Sequence, residues 1–308
     1  MPLRRPARSD AWRCGGRLLS ALGSAAEIGK RIVVRKTAAL SLAYLVAVAL
    51  AAAFATTVGF DPLSQNLARM LEGPSRDYLF GTDELGRDIL ARVVYGARTS
   101  LITAAGAVTL AASVGVPMGL VAGFFGGWRD AVLMRIVDLK LALPSILLAL
   151  ALIAVLGRSQ VAALTAVGLT GVPTFARVAR AQVLSLRRRD FVTAVEAFGA
   201  SSPYLMFRTI LPNSWSPILT QMVVLSSVAI LLEASLAFLG VGIPPPTPSW
   251  GEMLRTGKEY LYESPTYAIL PGLMLTLTIL SFDTLGRALS AVLEGREDAP
   301  VRRGAGPA

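Results

Sequence analysis

The chain has 308 residues, of which 54% are hydrophobic and only 16% are charged, against roughly 25% charged residues in soluble domains. This composition excludes an ordinary soluble globular protein and indicates a membrane protein. The net charge of +10 would favour nucleic-acid binding in a soluble protein, but in a membrane protein it indicates basic loops that face the cytoplasm.

The residue types that are rare or missing limit the chemistry of this chain. Cys14 is the single cysteine and there is no histidine, which excludes an intramolecular disulfide, a cysteine or histidine metal site and a histidine-dependent triad. The sequence also has no G-x-x-x-x-G-K-[ST] loop to hold nucleotide phosphates. We therefore expect no catalytic residue, no metal and no cofactor in this chain.

Apolar stretches in chain order predict an all-α polytopic membrane protein with six transmembrane helices. Residues 1–36 form a basic N-terminal segment without the compact apolar core of a cleaved signal peptide. The later stretches are near the length of about 20 residues that a spanning helix needs. The predicted spans are 37–60, 99–126, 131–157, 159–178, 216–240 and 264–285, within a transmembrane domain at 37–290.

The distribution of basic residues predicts which loops face the cytoplasm. Residues 1–36 contain nine Lys and Arg against two acids, and the loop 177–216 contains six arginines against two acids. Residues 61–98, in contrast, balance five arginines with six acids. The positive-inside rule therefore places both termini and the loop 179–215 in the cytoplasm. The tail 291–308 is also cytoplasmic and is predicted to be disordered.

A charged stretch, "FGTDELGRDILARVVYGARTSL" (80–101), precedes the second span on the outward side. Its charges nearly cancel, and Asp83 is predicted to be the N-cap of a helix that begins near Glu84. We interpret the stretch as an outer-face scaffold, which either contacts a partner protein or serves only as a structural cap. The scaffold residues are Gly81, Thr82, Asp83, Gly86, Arg87 and Asp88.

Three further features accompany the later spans. Arg135 and Asp138, three residues apart, are predicted to form an interfacial ion pair. Glu233 lies in an apolar run, where an ionisable group costs about 2.5–3.5 kcal/mol, so it either lines a pathway or bonds to another helix or a partner. Trp250 lies in "PPPTPSWGEML", for which we expect an extended, outward-facing loop, and is either an interface anchor or a contact for a partner protein.

The loop 179–215 is predicted to form a helix, a break at Gly199 and a second short helix that "LPN" ends at 211–213. Ser201 or Ser202 is the expected N-cap of the second helix. The apolar side chains of this helix favour a groove on a partner over a solvated surface helix. They are Tyr204, Leu205, Met206 and Phe207.

This loop resembles the EAA loop of ATP-binding-cassette importer permeases. Ala194, Gly199, Leu211 and Pro212 match that pattern, whereas Thr193 stands where the family usually has glutamate. The blocks 80–101, 134–157 and 238–254 resemble the dipeptide/oligopeptide/nickel branch of the same permeases. Together the matches extend over about residues 78–285, so four blocks in the same order carry the resemblance.

The resemblance implies a type I importer permease fold and a non-enzymatic subunit that translocates peptides or a similar small solute. It implies a second, homologous permease in a heterodimer, two cytoplasmic ATPase subunits that bind ATP and magnesium, an extracytoplasmic binding protein, membrane lipid, and no nucleic acid. The location would be the bacterial inner membrane. An ion-coupled secondary carrier is the alternative, although Glu233 is nearly alone as a deep acid. The expected ATPase-coupling residues are Thr193, Ala194, Gly199, Ala200, Tyr204, Leu205, Leu211 and Pro212.

Overall fold

A computed structural model describes residues 36–55 and 61–293, and these ranges are helical with no strand beyond one bridge between Thr82 and Asp88. The predicted all-α class is confirmed. Most of the N-terminal segment 1–36, the end of the first predicted span and most of the tail 291–308 lie outside the described residues. The helices are α1 Lys36–Phe54, α2 Ile89–Phe125, α3 Gly127–Leu141, α4 Ser145–Leu156, α5 Gln160–Leu186, α6 Asp190–Ala197, α8 Trp215–Phe238, α9 Trp250–Gly257 and α10 Pro265–Leu293, with α7 formed by Ser202–Tyr204, a π-helical stretch Leu205–Ile210 and Leu211–Asn213.

Within the described ranges, α1, α2, α5, α8 and α10 are long and apolar enough to cross a membrane, and α3 with α4 makes a sixth crossing if the bent pair is one span. The third predicted span, 131–157, falls on this pair, whose axes meet at 92°. Pro144 lies at the bend and has no N–H for a helical hydrogen bond. The chain turns there, with the N–H of Leu143 donating to the carbonyl of Lys140 at 3.2 Å.

The closest helix pair is α2 with α5, whose contact is the most extensive in the described part of the chain. Gly115, Gly119 and Gly123 recur every fourth residue on the contact face of α2. A Cβ at Gly115 would lie 2.5 Å from the Val172 carbonyl oxygen, and one at Gly123 would lie 2.8 Å from the Val183 Cβ. These glycines therefore let the two backbones approach closely, as small residues do in membrane helix pairs.

The largest apolar core among the described residues packs this helix pair against α4, α7 and α8. Leu120 of α2 and Phe175 of α5 are fully buried in it together with Ile230 of α8. Leu205 and Ile210 of α7 belong to the same core. The loop segment between α5 and α8 is thus packed against the membrane domain over part of its surface.

Gly119→Ala is expected to lower the free energy of unfolding by about 1–3 kcal/mol, the usual cost of overpacking a close contact. The new methyl would overlap the Ala176 carbonyl oxygen and lie 2.8 Å from the Ala179 Cβ. The matched control is Gly272→Ala on α10, where the nearest atom would be 3.4 Å away. Thermal unfolding of the purified chain in one detergent makes the comparison, and equal midpoints for the two variants would contradict the packing argument.

Candidate functional site

The loop between α5 and α8 has its break at Gly199, as the sequence predicts. Gly199 has φ +83° and its N–H donates to the Glu196 carbonyl at 2.9 Å. A Cβ at this position would meet no atom within 4 Å, so backbone conformation alone favours glycine here. The glycine ends α6 and sets the direction in which α7 begins.

The two sides of α7 differ in burial. Tyr204 and Phe207 are 51% and 52% exposed, and Phe198, just before the break, is 92% exposed. We call these three aromatic side chains the loop surface. Leu205, which the sequence analysis places among the coupling residues, is only 2% exposed and Ile210 is 0% exposed. Leu205 therefore anchors the segment to the core, and its side chain is not available for contact with a partner.

The other residues predicted for the coupling loop divide in the same way. Thr193 and Ala194 lie exposed on α6, and Pro212 is exposed near the end of α7. Ala200 and Leu211 are half-buried and pack against the main core. The exposed members extend the area around the loop surface, while the half-buried members hold the segment in place.

Both ends of α7 lie at the predicted residues. Ser201 is the N-cap residue, although its side chain makes no capping hydrogen bond. The helix ends at Asn213, the last residue of "LPN". The N–H of Leu211 donates to the carbonyl of Met206, five residues back. This wider π-helical turn precedes Pro212, which has no N–H to donate.

At the N-terminal end of α2, Asp83 is fully buried and accepts hydrogen bonds from both the backbone and a side chain. Nε of Arg87 donates to its Oδ2 at 2.6 Å, and the backbone N–H of Arg87 donates to its Oδ1 at 2.9 Å. The prediction that Asp83 caps the helix is wrong, because α2 begins later, at Ile89. Asp88 is the N-cap, accepting from the Leu90 N–H at 2.9 Å. Burial raises the pKa of the Asp88 carboxyl, against the opposing effect of its backbone hydrogen bonds.

The predicted scaffold glycines give the turn that positions Asp83. Gly81 and Gly86 have φ values of +82° and +69°, and a Cβ on Gly86 would overlap the backbone of Asn66. Thr82 is buried, and its Oγ1 accepts the N–H of Glu72 at 2.9 Å. The scaffold is therefore an ordered fold of the segment 61–88 against its own backbone.

The scaffold has partners elsewhere in the chain that are not evident from the sequence. Nε of Arg92 lies 3.2 Å from Oδ2 of Asp83, and its Nη2 donates to Oε2 of Glu252 at 3.2 Å. Arg92 is almost fully buried, as an arginine is only when it is paired. We call this group the charged cap; its members are Asp83, Glu84, Arg87, Arg92 and Glu252.

The segment after the prolines is not the uniformly extended loop that we expected. Helix α9 begins at Trp250, and Ser249 caps it by accepting the N–H of Glu252 at 3.3 Å. Trp250 is fully buried, and its Nε1 donates to the Val93 carbonyl at 3.0 Å. Trp250 is therefore neither an interface anchor nor a surface contact in this chain, because it fixes α9 to α2.

Glu233 lies in the interior between helices. Its side chain is 1% exposed, and Oε2 accepts a hydrogen bond from the Ser100 hydroxyl at 3.1 Å. The bond joins α8 to α2. Burial with a hydrogen-bond donor is the arrangement that lowers the cost of an acid inside a membrane domain.

The expected pair between Arg135 and Asp138 does not form. Asp138 instead accepts from Nη2 of Arg177 at 2.7 Å, because α5 carries that long side chain up to α3. On the same two helices, Nε and Nη2 of Arg180 donate to Oδ1 and Oδ2 of Asp130, each at 2.6 Å. The two ion pairs fasten α3 to α5. No group of three metal-ligating side chains occurs in ranges 36–55 and 61–293.

Comparison with known proteins identifies close relatives over most of the chain. Residues 115–296 match the family described as binding-protein-dependent transport system inner membrane component. The chain is 40% identical over 269 residues to the dipeptide transport system permease protein DppC of Alkalihalophilus pseudofirmus, covering 87% of this chain and 88% of the relative. It is 38% identical to the glutathione transport system permease protein GsiD of Pectobacterium atrosepticum, covering 73% and 75%.

The fold is also similar to that of a solved transporter. An inward-facing structure of the MetNI methionine ABC transporter aligns with a TM-score of 0.51 and 18% sequence identity. The alignment covers 65% of this chain and 97% of that chain. At this identity the likeness shows that the two chains share a fold.

Asp83→Asn is expected to destabilise the protein by about 3–5 kcal/mol, because it removes one partner of a buried ion pair and leaves charged guanidinium groups inside. The control is Asp77→Asn, which breaks an exposed pair with Arg69 and should leave the thermal midpoint unchanged. Thermal unfolding of both purified variants tests the difference. Equal midpoints would mean that the charged cap is not a structural element.

Proposed function

This chain belongs to the family of binding-protein-dependent transport system inner membrane components, and we propose that it is the permease subunit of an ATP-driven importer of short peptides. As a member of that family it is a multi-pass protein of the inner membrane. Its relatives are named for the transport of dipeptides, di- and tripeptides, or glutathione. Those names support a short peptide, or a solute of similar size, as the cargo.

The loop surface is the observation that carries the proposal. Phe198, Tyr204 and Phe207 present exposed rings beside a glycine break, whereas their neighbour Leu205 is buried. Exposed aromatic groups of this kind favour a protein groove over water. We propose that an ATPase subunit supplies this groove and that two such subunits hold the ATP and magnesium. This chain itself has no phosphate-binding loop.

Movement of the ATPase would reach the membrane through α7. Leu205 and Ile210 fix α7 to the core that also contains α2, α5 and α8. Between the last turn of α7 and the first residue of α8 there is only Ser214, which is buried and donates its hydroxyl hydrogen to the Ile210 carbonyl at 2.9 Å. A displacement of α7 would therefore carry α8 with it, opening the pathway outward on ATP binding and inward after hydrolysis.

Three partners complete the proposed importer. A second, homologous permease would pair with this chain, and an extracytoplasmic binding protein would deliver the cargo at the end that carries the charged cap. The excess of basic residues in 1–36 and 177–216 supports cytoplasmic termini and a cytoplasmic loop surface. The charged cap would then face outward, where its ordered scaffold is available to the second permease or to the binding protein.

An ion-coupled secondary carrier is the competing function. A carrier needs ionisable groups that bind the coupling ion along the path. Glu233, the acid that the sequence offered for such a role, is buried and hydrogen-bonded to Ser100. The bond to α2 supports a part for Glu233 in helix packing.

The double variant Tyr204→Ala/Phe207→Ala should lose the ATPase subunits during purification, with an affinity at least about tenfold weaker, because truncating buried interface aromatics removes hot-spot contacts. The chain should still insert, since both side chains are exposed in the isolated subunit. Co-purification from membranes that contain the full complex measures the loss, and peptide uptake should fall with it.

The control variant is Tyr262→Ala, which removes a 99% exposed aromatic ring from the opposite, outward loop. It should retain the ATPase subunits at the wild-type ratio. If the double variant retains them equally well, the loop surface is not the docking surface, and the proposed route of coupling is wrong.

A further inference from the structure

A groove runs between α1 and α2. It has a volume of about 450 Å³ and opens to the exterior of the helix bundle. Its lining is apolar except for a single guanidinium group. The lining residues are Ala49, Ala52, Ala53, Arg98, Leu101, Ile102 and Ala105.

Arg98 differs from the two arginines that precede it on the chain. Arg87 and Arg92 are buried and paired with acids of the charged cap. Arg98 is exposed, and none of the residues in ranges 36–55 and 61–293 pairs with it. It lies in the third turn of α2, one residue before the predicted second span 99–126. A guanidinium in that position is favourable only where it reaches an anion or the polar interface.

The groove changes from polar to apolar along its length. Arg98, Ile102 and Ala105 recur at helical spacing along one face of α2, with the charge nearest the start of the helix. Ala49 and Ala53 face them from α1, and their small side chains leave the groove open. The groove therefore matches an amphiphilic molecule. Its anionic head group would lie at Arg98, and its apolar chain would lie along the alanines.

The exposure of α1 favours lipid as the molecule in this groove. In the most apolar 18-residue window of α1 only 17% of the residues are buried, against 61% for α5. Leu50 of α1 and Ile102 of α2 are half exposed beside the groove. In a bilayer, acyl chains solvate apolar side chains of this kind.

We propose that the groove between α1 and α2 is a phospholipid site, in which the lipid phosphate binds the Arg98 guanidinium and one acyl chain lies along the alanine-lined groove. A planar guanidinium binds phosphate oxygens through two parallel N–H bonds, so the phosphate supplies the charge that the protein lacks here. The inference is independent of the cargo and of the ATPase contact. The proposed orientation of the chain decides only which leaflet supplies the lipid.

The test uses the purified permease complex in detergent, delipidated and titrated with dioleoyl phosphatidylglycerol while native mass spectrometry counts bound lipid. Arg98→Gln should weaken phosphatidylglycerol binding about fivefold, the usual effect of one basic residue at a lipid surface. Dioleoylglycerol, which has the same acyl chains and no phosphate, should bind wild type and Arg98→Gln equally. Arg76→Gln, which removes an exposed arginine from the segment 61–88, is the matched control and should bind both lipids like wild type.

A second variant tests the apolar half of the site. Ala53→Leu fills the groove without touching the charge, and it should weaken binding of both lipids. Wild-type binding by Arg98→Gln together with Ala53→Leu would overturn the proposal. Full competition by inorganic phosphate would also overturn it, because the site would then bind a free anion.

A third outcome concerns the second permease. A cysteine placed at Ala53 in a Cys14→Ser background should react in intact membranes with a maleimide that partitions into lipid. Protection of that cysteine in the assembled complex, and not in the isolated chain, would show that a protein helix covers the groove. The phospholipid assignment would then be wrong.

Discussion

The close approach of α2 and α5 is the contact on which the rest of this structure depends. Three glycines at intervals of four residues remove the side chains that would separate the two backbones. Lipid gives no hydrophobic drive for helix association, so such a contact relies on van der Waals packing at short range. The core that forms around it includes α8 and the buried face of α7. The segment that carries the loop surface is therefore packed against the core that contains α2 and α5.

The two ends of the domain are stabilised by different interactions. At the end with the loop surface, apolar side chains of α7 enter the core and leave aromatic rings exposed. At the other end, buried ion pairs of the charged cap join the segment 61–88 to α2 and α9. Buried pairs specify geometry, because each charge requires its partner. This division suits a subunit that receives movement at one end and keeps a fixed shape at the other.

The sequence predicted the parts of this structure that lipid and water dictate. The length of the apolar stretches predicted the helical class, and glycine chemistry located the break at Gly199. The sequence analysis did not find the burial of Leu205 or the bond between Trp250 and Val93, because both depend on contacts between distant segments. Asp83 was mistaken for a helix cap because an N-cap and a buried ion-pair partner use the same residue type. The repeat Gly115, Gly119 and Gly123 was readable as a small-residue motif, and its four-residue period was the signal.

We propose that ATP hydrolysed by a partner subunit drives transport through this chain. The most direct measurement is import of a radiolabelled dipeptide into proteoliposomes that contain the whole complex and its binding protein. We expect import to require ATP on the side of the loop surface and to continue when a protonophore collapses the proton gradient. Import that proceeds without ATP on an imposed proton gradient, and stops with the protonophore, would contradict it.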